Sequence, residues 1–380
     1  MSLERVLTYP CNEENPYQQQ LHAGLAKNGV EARFLRPRTP SAAVNLLLLP
    51  LELVAARLRG IRVFHVHWLY LFDHPASRRL PFLRRSLRWW LRIVLSTARH
   101  VGLRVVWTAH NELPHRPIFD DDVAARALLC ANGALVIAHS EQAAQAIIGR
   151  GWSPAEQVTV VPHGPMPLPA ADAKQVHSDL GLSSDTRLLT FVGRIEEYKG
   201  VAELLASVVE MNRDGRWPKG LRVVVAGECR EPSLSTRLAE LAQAGEDAIR
   251  LRLEYIPDGK LANLLAASAM VILPFQTVTT SGSAVLALGA GCPLALPQGV
   301  LPELPAQAVQ RYEHVSDLIV NLERATDAEL AAMSRAAKGW ADGWTWDDVA
   351  RVTAAVYCGA TSEVGGVVGH LRRQSRSERA

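Results

Sequence analysis

Arg194 and Lys199 stand in the segment FVGRIEEYKGVAELL, residues 191–205, where an apolar strand pattern stops at Gly193 and a helical pattern starts at Gly200–Val201. Two cations on a strand-to-helix loop, at the positive end of a helix dipole, suit a diphosphate. Arg194 can grip two oxygens at once, while Lys199 acts as a mobile point charge. The same residues could instead form a solvated loop paired with Glu196, Glu197 or Glu203. A second anion cradle is written downstream in LPFQTVTTSGSAVLALGAGCPLALP, residues 273–297. There a strand runs into Thr279–Thr280–Ser281–Gly282–Ser283, which combines hydroxyls, a glycine and free backbone N–H groups at a helix start. Plain N-capping is the competing reading of that run.

The first half of the chain holds a different set of groups. TAHNELPH, residues 108–115, follows a strand pattern and sets His110 at its carboxyl end. If a general base is needed there, His110, Glu112, Asp120, Asp121 and Asp122 are the candidates. Strand-end capping by His110 and His115 is the structural alternative. His65 and His67 alternate along a strand and should share a face. With no third ligand close in sequence, they and Trp68 fit packing or acceptor contacts better than a metal site. Asn15, Pro16 and Tyr17 fall on the first strand-to-helix loop, where they either contact an acceptor or simply start the helix.

These groups need a scaffold that brings strand ends together. Strand patterns at 5–8, 32–35, 63–67, 104–108, 134–138 and 158–161 alternate with helical stretches such as 16–28, 81–101 and 124–130. The pattern restarts with strands at 188–193, 222–226, 250–255, 270–273 and 293–296, separated by helices at 201–214, 234–244, 259–267 and 283–290. Apolar strands alternating with amphipathic helices imply parallel sheets covered on both faces. The expected fold is α/β, with two facing Rossmann-like doubly wound domains. The expected partition is residues 1–165, residues 166–340, a helix at 341–358 returning to the first domain, and a disordered tail at 359–380.

Bulk properties narrow the class. The chain has 380 residues, 48% of them hydrophobic and 21% charged, which suits two folded domains. Its five cysteines are scattered, so neither a disulfide framework nor a zinc site is expected, and a reduced compartment is. A secretory signal and a membrane span are both absent from the sequence pattern. Between His74 and Asn111 lie eight arginines and no acidic residue. Within 81–101, Leu83, Leu87, Trp90, Leu91, Val94 and Ala98 form one helical stripe beside Arg84, Arg88 and Arg92. Such a helix either lies on an anionic membrane surface or packs on the core with an arginine-rich outer face. No nucleic-acid recognition fold accompanies the patch, so a nucleic-acid partner is not expected.

The motif Gly-Arg-x-x-x-x-Lys-Gly at 193–200, preceded by Val161–Pro162–His163–Gly164, resembles the family-4 glycosyltransferases of the GT-B fold. The stretch Pro274…Ser281–Gly282–Ser283…Gly291–Cys292–Pro293 is similar to that family's donor-binding segment. Asn15–Pro16–Tyr17, His65–Val66–His67–Trp68 and Trp107–Thr108–Ala109–His110–Asn111 are similar to bacterial members. The resemblance implies a UDP- or GDP-sugar donor, with Arg194 and Lys199 neutralising its diphosphate in place of a metal, and no cofactor. Gly164, Gly193 and the Thr280–Ser283 backbone would lie near the phosphates, and Ile256 and Pro257 near the base. His110 would touch the transferred sugar. The acceptor would be a glycolipid, a polyprenyl-linked sugar or a small molecule, in exopolysaccharide or glycolipid synthesis. The protein would be cytoplasmic, or peripheral on the inner face of the cell membrane.

One departure stands out. The family's two motif glutamates, eight positions apart, correspond to Val278 and Leu286, so donor-sugar recognition and anomeric outcome do not carry over. A non-catalytic nucleotide-sugar-binding protein on the same fold is the rival reading. An NAD enzyme is disfavoured, because no Gly-x-Gly-x-x-Gly follows the first strand of either half.

Overall fold

The computed structural model describes residues 4–69, 72, 80, 82–114, 117–276, 278 and 280–359. Pro81, His115, Thr279 and the tail beyond Gly359 lie outside the described residues. The chain forms two compact units, one running to Gly164 and resuming at Thr345, the other spanning Pro165–Trp344.

The first unit is built on β1 (Glu4–Tyr9), α1 (Pro16–Lys27), β2 (Val30–Phe34), α2 (Ala42–Leu58), β3 (Val63–Val66) and α3 (Phe82–His100). It continues with β4 (Arg104–Ala109), α4 (Asp122–Ala131), β5 (Leu135–Ala138), α5 (Glu141–Gly149) and β6 (Val158–Val160). All strands run parallel in the order β2-β1-β3-β4-β5-β6. Strand order reverses direction between β1 and β3, so the loops after these two strands diverge and open a crevice at their carboxyl ends.

The second unit holds α6 (Val176–Asp179), β7 (Arg187–Val192), α7 (Val201–Arg213), β8 (Leu221–Ala226), α8 (Pro232–Ala244), β9 (Ile249–Arg252) and α9 (Asp258–Ala267). It is completed by β10 (Met270–Ile272), α10 (Gly282–Gly289), β11 (Leu294–Pro297), β12 (Val309–Tyr312), α11 (Val315–Arg324) and α12 (Asp327–Asp342). The sheet order is β12-β11-β10-β7-β8-β9, all parallel. Its switch point falls between β7 and β10. Leu188, Leu189, Phe191 and Val223–Val225 are fully buried, the signature of a sheet covered on both faces.

The last helix, α13 (Trp346–Cys358), returns to the first unit and packs on α1. A Cβ on Gly24 would lie 2.7 Å from Ala350 Cβ and 3.0 Å from the Trp346 carbonyl, so only glycine allows the two helices to approach this closely. The Thr345 hydroxyl and Asp348 carboxylate cap each other's backbone amides at the start of α13, and Lys27 pairs with Asp347 beside them. Among the described residues no helix is long and apolar enough to cross a membrane.

Candidate functional site

In the second unit the two anion cradles meet. β7 is followed by Gly193, whose φ of 121° lies outside the range of ordinary side chains. A Cβ there would stand 2.6 Å from Ser283 Oγ and 3.9 Å from Lys199 Nζ. The loop after β7 and the start of α10, which follows β10, therefore touch at the switch point of the sheet. Gly227, after β8, closes the floor: a Cβ on it would stand 1.9 Å from the Gly193 carbonyl. Gly200 has a φ of 70°, and a Cβ on it would stand 2.3 Å from the Pro274 carbonyl. The backbone is thus left bare where a charged ligand must come close.

Lys199 donates from Nζ to the Arg194 carbonyl at 2.6 Å. Burial, helped by the Arg194 charge, lowers its pKa from the ordinary lysine value, while Glu196 opposes the shift. A half-buried ammonium with a depressed pKa is a cation short of negative charge. Arg194 is exposed on the same loop. Glu197 and Glu203, two of its conceivable partners, both pair with Arg237 instead. Ser281 caps α10 by accepting from Ala284 N at 3.2 Å, and Thr280 and Gly282 flank it. Ile256 and Pro257 follow the edge strand β9, two strands from β7, with Pro257 as the N-cap of α9. Val278 and Leu286 pack against the core of this unit.

In the first unit histidines end four adjacent strands: His67 follows β3, His110 follows β4, His139 follows β5 and His163 lies just beyond β6. Tyr17, positioned by the Asn15 cap on Tyr17 N and Gln18 N, stands at their centre. Its ring centroid is 5.7 Å from His67, 4.8 Å from His110, 5.3 Å from His139 and 4.9 Å from His163. Trp346 of α13 closes one side at 5.2 Å from Tyr17, and Trp68 stacks on His110 at 4.3 Å. Gly164 lies beneath the Trp346 indole, where a Cβ would stand 2.6 Å from the ring.

The imidazoles are joined in a chain whose direction is fixed at one end. The Val161 carbonyl can only accept, so His139 donates to it from Nδ1 at 2.8 Å. With burial lowering the His139 pKa to about 3, its Nε2 is bare and accepts from His110 Nδ1 at 3.2 Å. Burial also holds His110 and His67 well below the ordinary value. His110 Nε2 then accepts from His67 Nδ1 at 3.1 Å. The chain ends at His67 Nε2, a buried nitrogen without a hydrogen-bond partner among the described residues. His65 shares a face with His67, centroids 4.0 Å apart, and is fixed by the Tyr357 hydroxyl at 2.6 Å and Thr108 Oγ1 at 2.7 Å. Among the described residues no three His, Cys, Asp or Glu side chains are grouped so as to hold a metal ion.

The carboxylates have other partners. Glu112 forms an ion pair with Arg150. Asp120 takes two hydrogen bonds from Arg88, each 2.7 Å, and that guanidinium holds its carboxyl below the usual range. Asp121 caps α4, and Asp122 accepts from Ile118 N and Phe119 N while burial raises its pKa. The sequence reading gave no role to His139, His163, Trp346 or Tyr357. The one signal available was the recurrence of histidine at each strand end.

The apolar stripe of α3 turns inward: Leu91, Val94 and Ala98 are buried in the core of the first unit, with Leu87 and Trp90 packed against it. The packing alternative therefore accounts for that stripe.

Residues 186–330 match the family described as Glycosyl transferases group 1. The chain is 25% identical to a D-inositol 3-phosphate glycosyltransferase of Mycolicibacterium paratuberculosis, over 92% of this chain and 86% of that protein. It is 29% identical to a GDP-mannose:glycolipid 4-beta-D-mannosyltransferase of Xanthomonas campestris pv. campestris, over 76% of this chain and 71% of that one. Among solved structures, a sucrose-phosphate synthase from Thermosynechococcus elongatus superposes with a TM-score of 0.68 at 16% identity, covering 95% of this chain and 100% of the other. Anabaena HepE in complex with UDP superposes with a TM-score of 0.64 at 13% identity, covering 92% and 98%. The chain has the GT-B fold, and within it residues 186–330 are similar to the family described as Glycosyl transferases group 1.

Proposed function

We propose that this protein is a nucleotide-sugar-dependent hexosyltransferase that moves a sugar from a UDP- or GDP-linked donor to an acceptor hydroxyl in glycolipid or exopolysaccharide synthesis. The observation that carries the reading is the meeting of Gly193, Lys199 and Ser283 at the β7/β10 switch point, where a Rossmann-type sheet receives phosphates. Negative charge grows on the leaving diphosphate as the sugar–phosphate bond breaks. Arg194, Lys199 and the amino ends of α7 and α10 are the groups that stabilise it, with no metal in the scheme. Ile256 and Pro257 are assigned to the nucleotide base and Gly164 to the phosphate side, both by resemblance.

The strand-end histidines of the first unit are assigned to the acceptor, with Asn15, Tyr17, His67 and Trp68 around His110. Of the candidate proton acceptors, Glu112 is tied to Arg150, and both ring nitrogens of His110 are engaged, by His139 and His67. The Xanthomonas relative's glycolipid acceptor and GDP-mannose donor, and the UDP bound in the Anabaena structure, support this choice of substrate classes. The five free cysteines agree with a reducing compartment, and the location proposed with it is the cytoplasm, free or peripheral on the inner face of the cell membrane.

The test is release of nucleoside diphosphate from a panel of UDP- and GDP-sugars in the presence of a lipid-linked acceptor fraction. Arg194→Ala and Lys199→Ala should each lower kcat/KM by about 10²–10³. Turnover unchanged in both variants, or none with any donor, contradicts the assignment.

A further inference from the structure

α2 is apolar on two opposite faces. At about 100° per residue, Leu46, Leu49, Leu53 and Ala56 fall within about 80° of arc, and these are the residues buried in the core. Val44, Leu47, Leu51, Val54 and Leu58 fall within another arc of about 80°, centred about 160° away. That second face is exposed: Leu47 to 62%, Leu51 to 66% and Leu58 to 84%. A soluble helix ordinarily carries one apolar stripe, and one that is apolar all round is expected to be covered on both sides. The exposed stripe runs about 21 Å along the helix, too long to be scattered surface leucines.

Its neighbour explains what covers it. α3 packs directly against α2, with Trp90 Nε1 donating to the Leu46 carbonyl at 2.9 Å. On its outer side α3 exposes Phe82, Trp89 and Ile93 among Arg85 and Arg92. Neither arginine forms an ion pair among the described residues. The α3 helix carries no acidic residue, and the single carboxylate of α2, Glu52, is already held by Arg38. A tryptophan beside unpaired arginines, next to an aliphatic ridge, matches the composition of an anionic lipid interface. A second copy of this chain fits worse, because pairing this patch with itself would bring arginines together with no free carboxylate on α2 or α3 to meet them.

We infer that α2 and α3 together form a membrane-docking surface, in which the α2 ridge enters the acyl boundary of an anionic bilayer and the α3 arginines meet its phosphates. This revises the sequence expectation: α3 supplies charge, while insertion passes to α2. The inference is independent of the glycosyl-transfer reading, since neither helix carries a residue assigned to donor or acceptor.

The experiment is flotation of the full chain with vesicles of phosphatidylcholine alone or mixed with phosphatidylglycerol. The parent protein should float with the mixed vesicles and lose binding as salt rises. The triple variant Leu47→Gln/Leu51→Gln/Leu58→Gln should bind on the order of a hundredfold more weakly with its melting temperature retained. Arg85→Gln/Arg92→Gln should bind roughly thirtyfold more weakly to mixed vesicles. A folded triple variant that floats like the parent overturns the inference. So does a parent that ignores vesicles and sediments as a dimer that the triple variant dissociates. Should the triple variant fail to fold, mixed-vesicle binding insensitive to both salt and the arginine pair overturns it equally.

Discussion

At the scale of the residue, the clearest consequence concerns protons on the histidine chain. A carbonyl at one end and burial throughout leave one arrangement: His67, His110 and His139 each carry their proton on Nδ1, with Nε2 bare. Ring-nitrogen spectra of ¹⁵N-histidine-labelled protein should show these three as Nδ1–H tautomers at neutral pH. An Nε2–H signal assigned to His110 would contradict the geometry. His110 was legible in the sequence as a strand-end histidine, but its connection to His139 was not, because 29 residues and a whole β–α unit separate them. Lys199 and Ser283 present the same problem: each loop could be read as a phosphate cradle, yet only the sheet order brings them together.

At the scale of the element, the alternation of strands and helices could be read wherever strands are continuous apolar runs. Of the elements it did not name, three have recognisable reasons. α2 is apolar on both faces, so it has no single 3.6-residue stripe to detect. β12 is an edge strand whose central Gln310 and Arg311 break the apolar run. α12 is built from an alanine-rich sequence with few large apolar residues, although its Thr326–Glu329 capping box marks the start.

The strand ends also make a prediction about acid. Burial lowers the pKa of His65 and His139 to about 3, against 6.5 when unfolded. The unfolded chain therefore binds more protons between these values, and stability rises with pH across that window. The contribution is complete above about pH 7 and falls as pH drops through 6.5, by about 1.4 kcal/mol per pH unit for each imidazole. Urea unfolding at pH 7.5 and 5.5 should show a loss of roughly 3 kcal/mol from these two residues alone. A flat profile would mean that the imidazoles are solvated.

At the scale of the whole molecule, two units with the same parallel architecture keep their functional groups at the carboxyl ends of their strands and their cores elsewhere. The chain crosses from one unit to the other at Gly164–Pro165 and returns at Thr345, so α13 contributes Trp346 and Tyr357 to a site whose other members lie before residue 165. The sequence suggested a helix at 341–358 returning to the first domain, but not that Trp346 and Tyr357 would reach the strand-end histidines, because that depends on how a helix more than 300 residues away in sequence seats against α1.

The central claim is that the β7/β10 switch point of the second unit binds a nucleoside diphosphate through Arg194 and Lys199. The direct measurement is thermal unfolding of the full chain titrated with UDP, GDP and ADP, alongside an Arg194→Ala/Lys199→Ala variant. At a hundred times its dissociation constant, the right diphosphate should add about 2.7 kcal/mol to the parent and little to the variant. Equal stabilisation of both proteins, or none of the parent by any of the three, would contradict the claim.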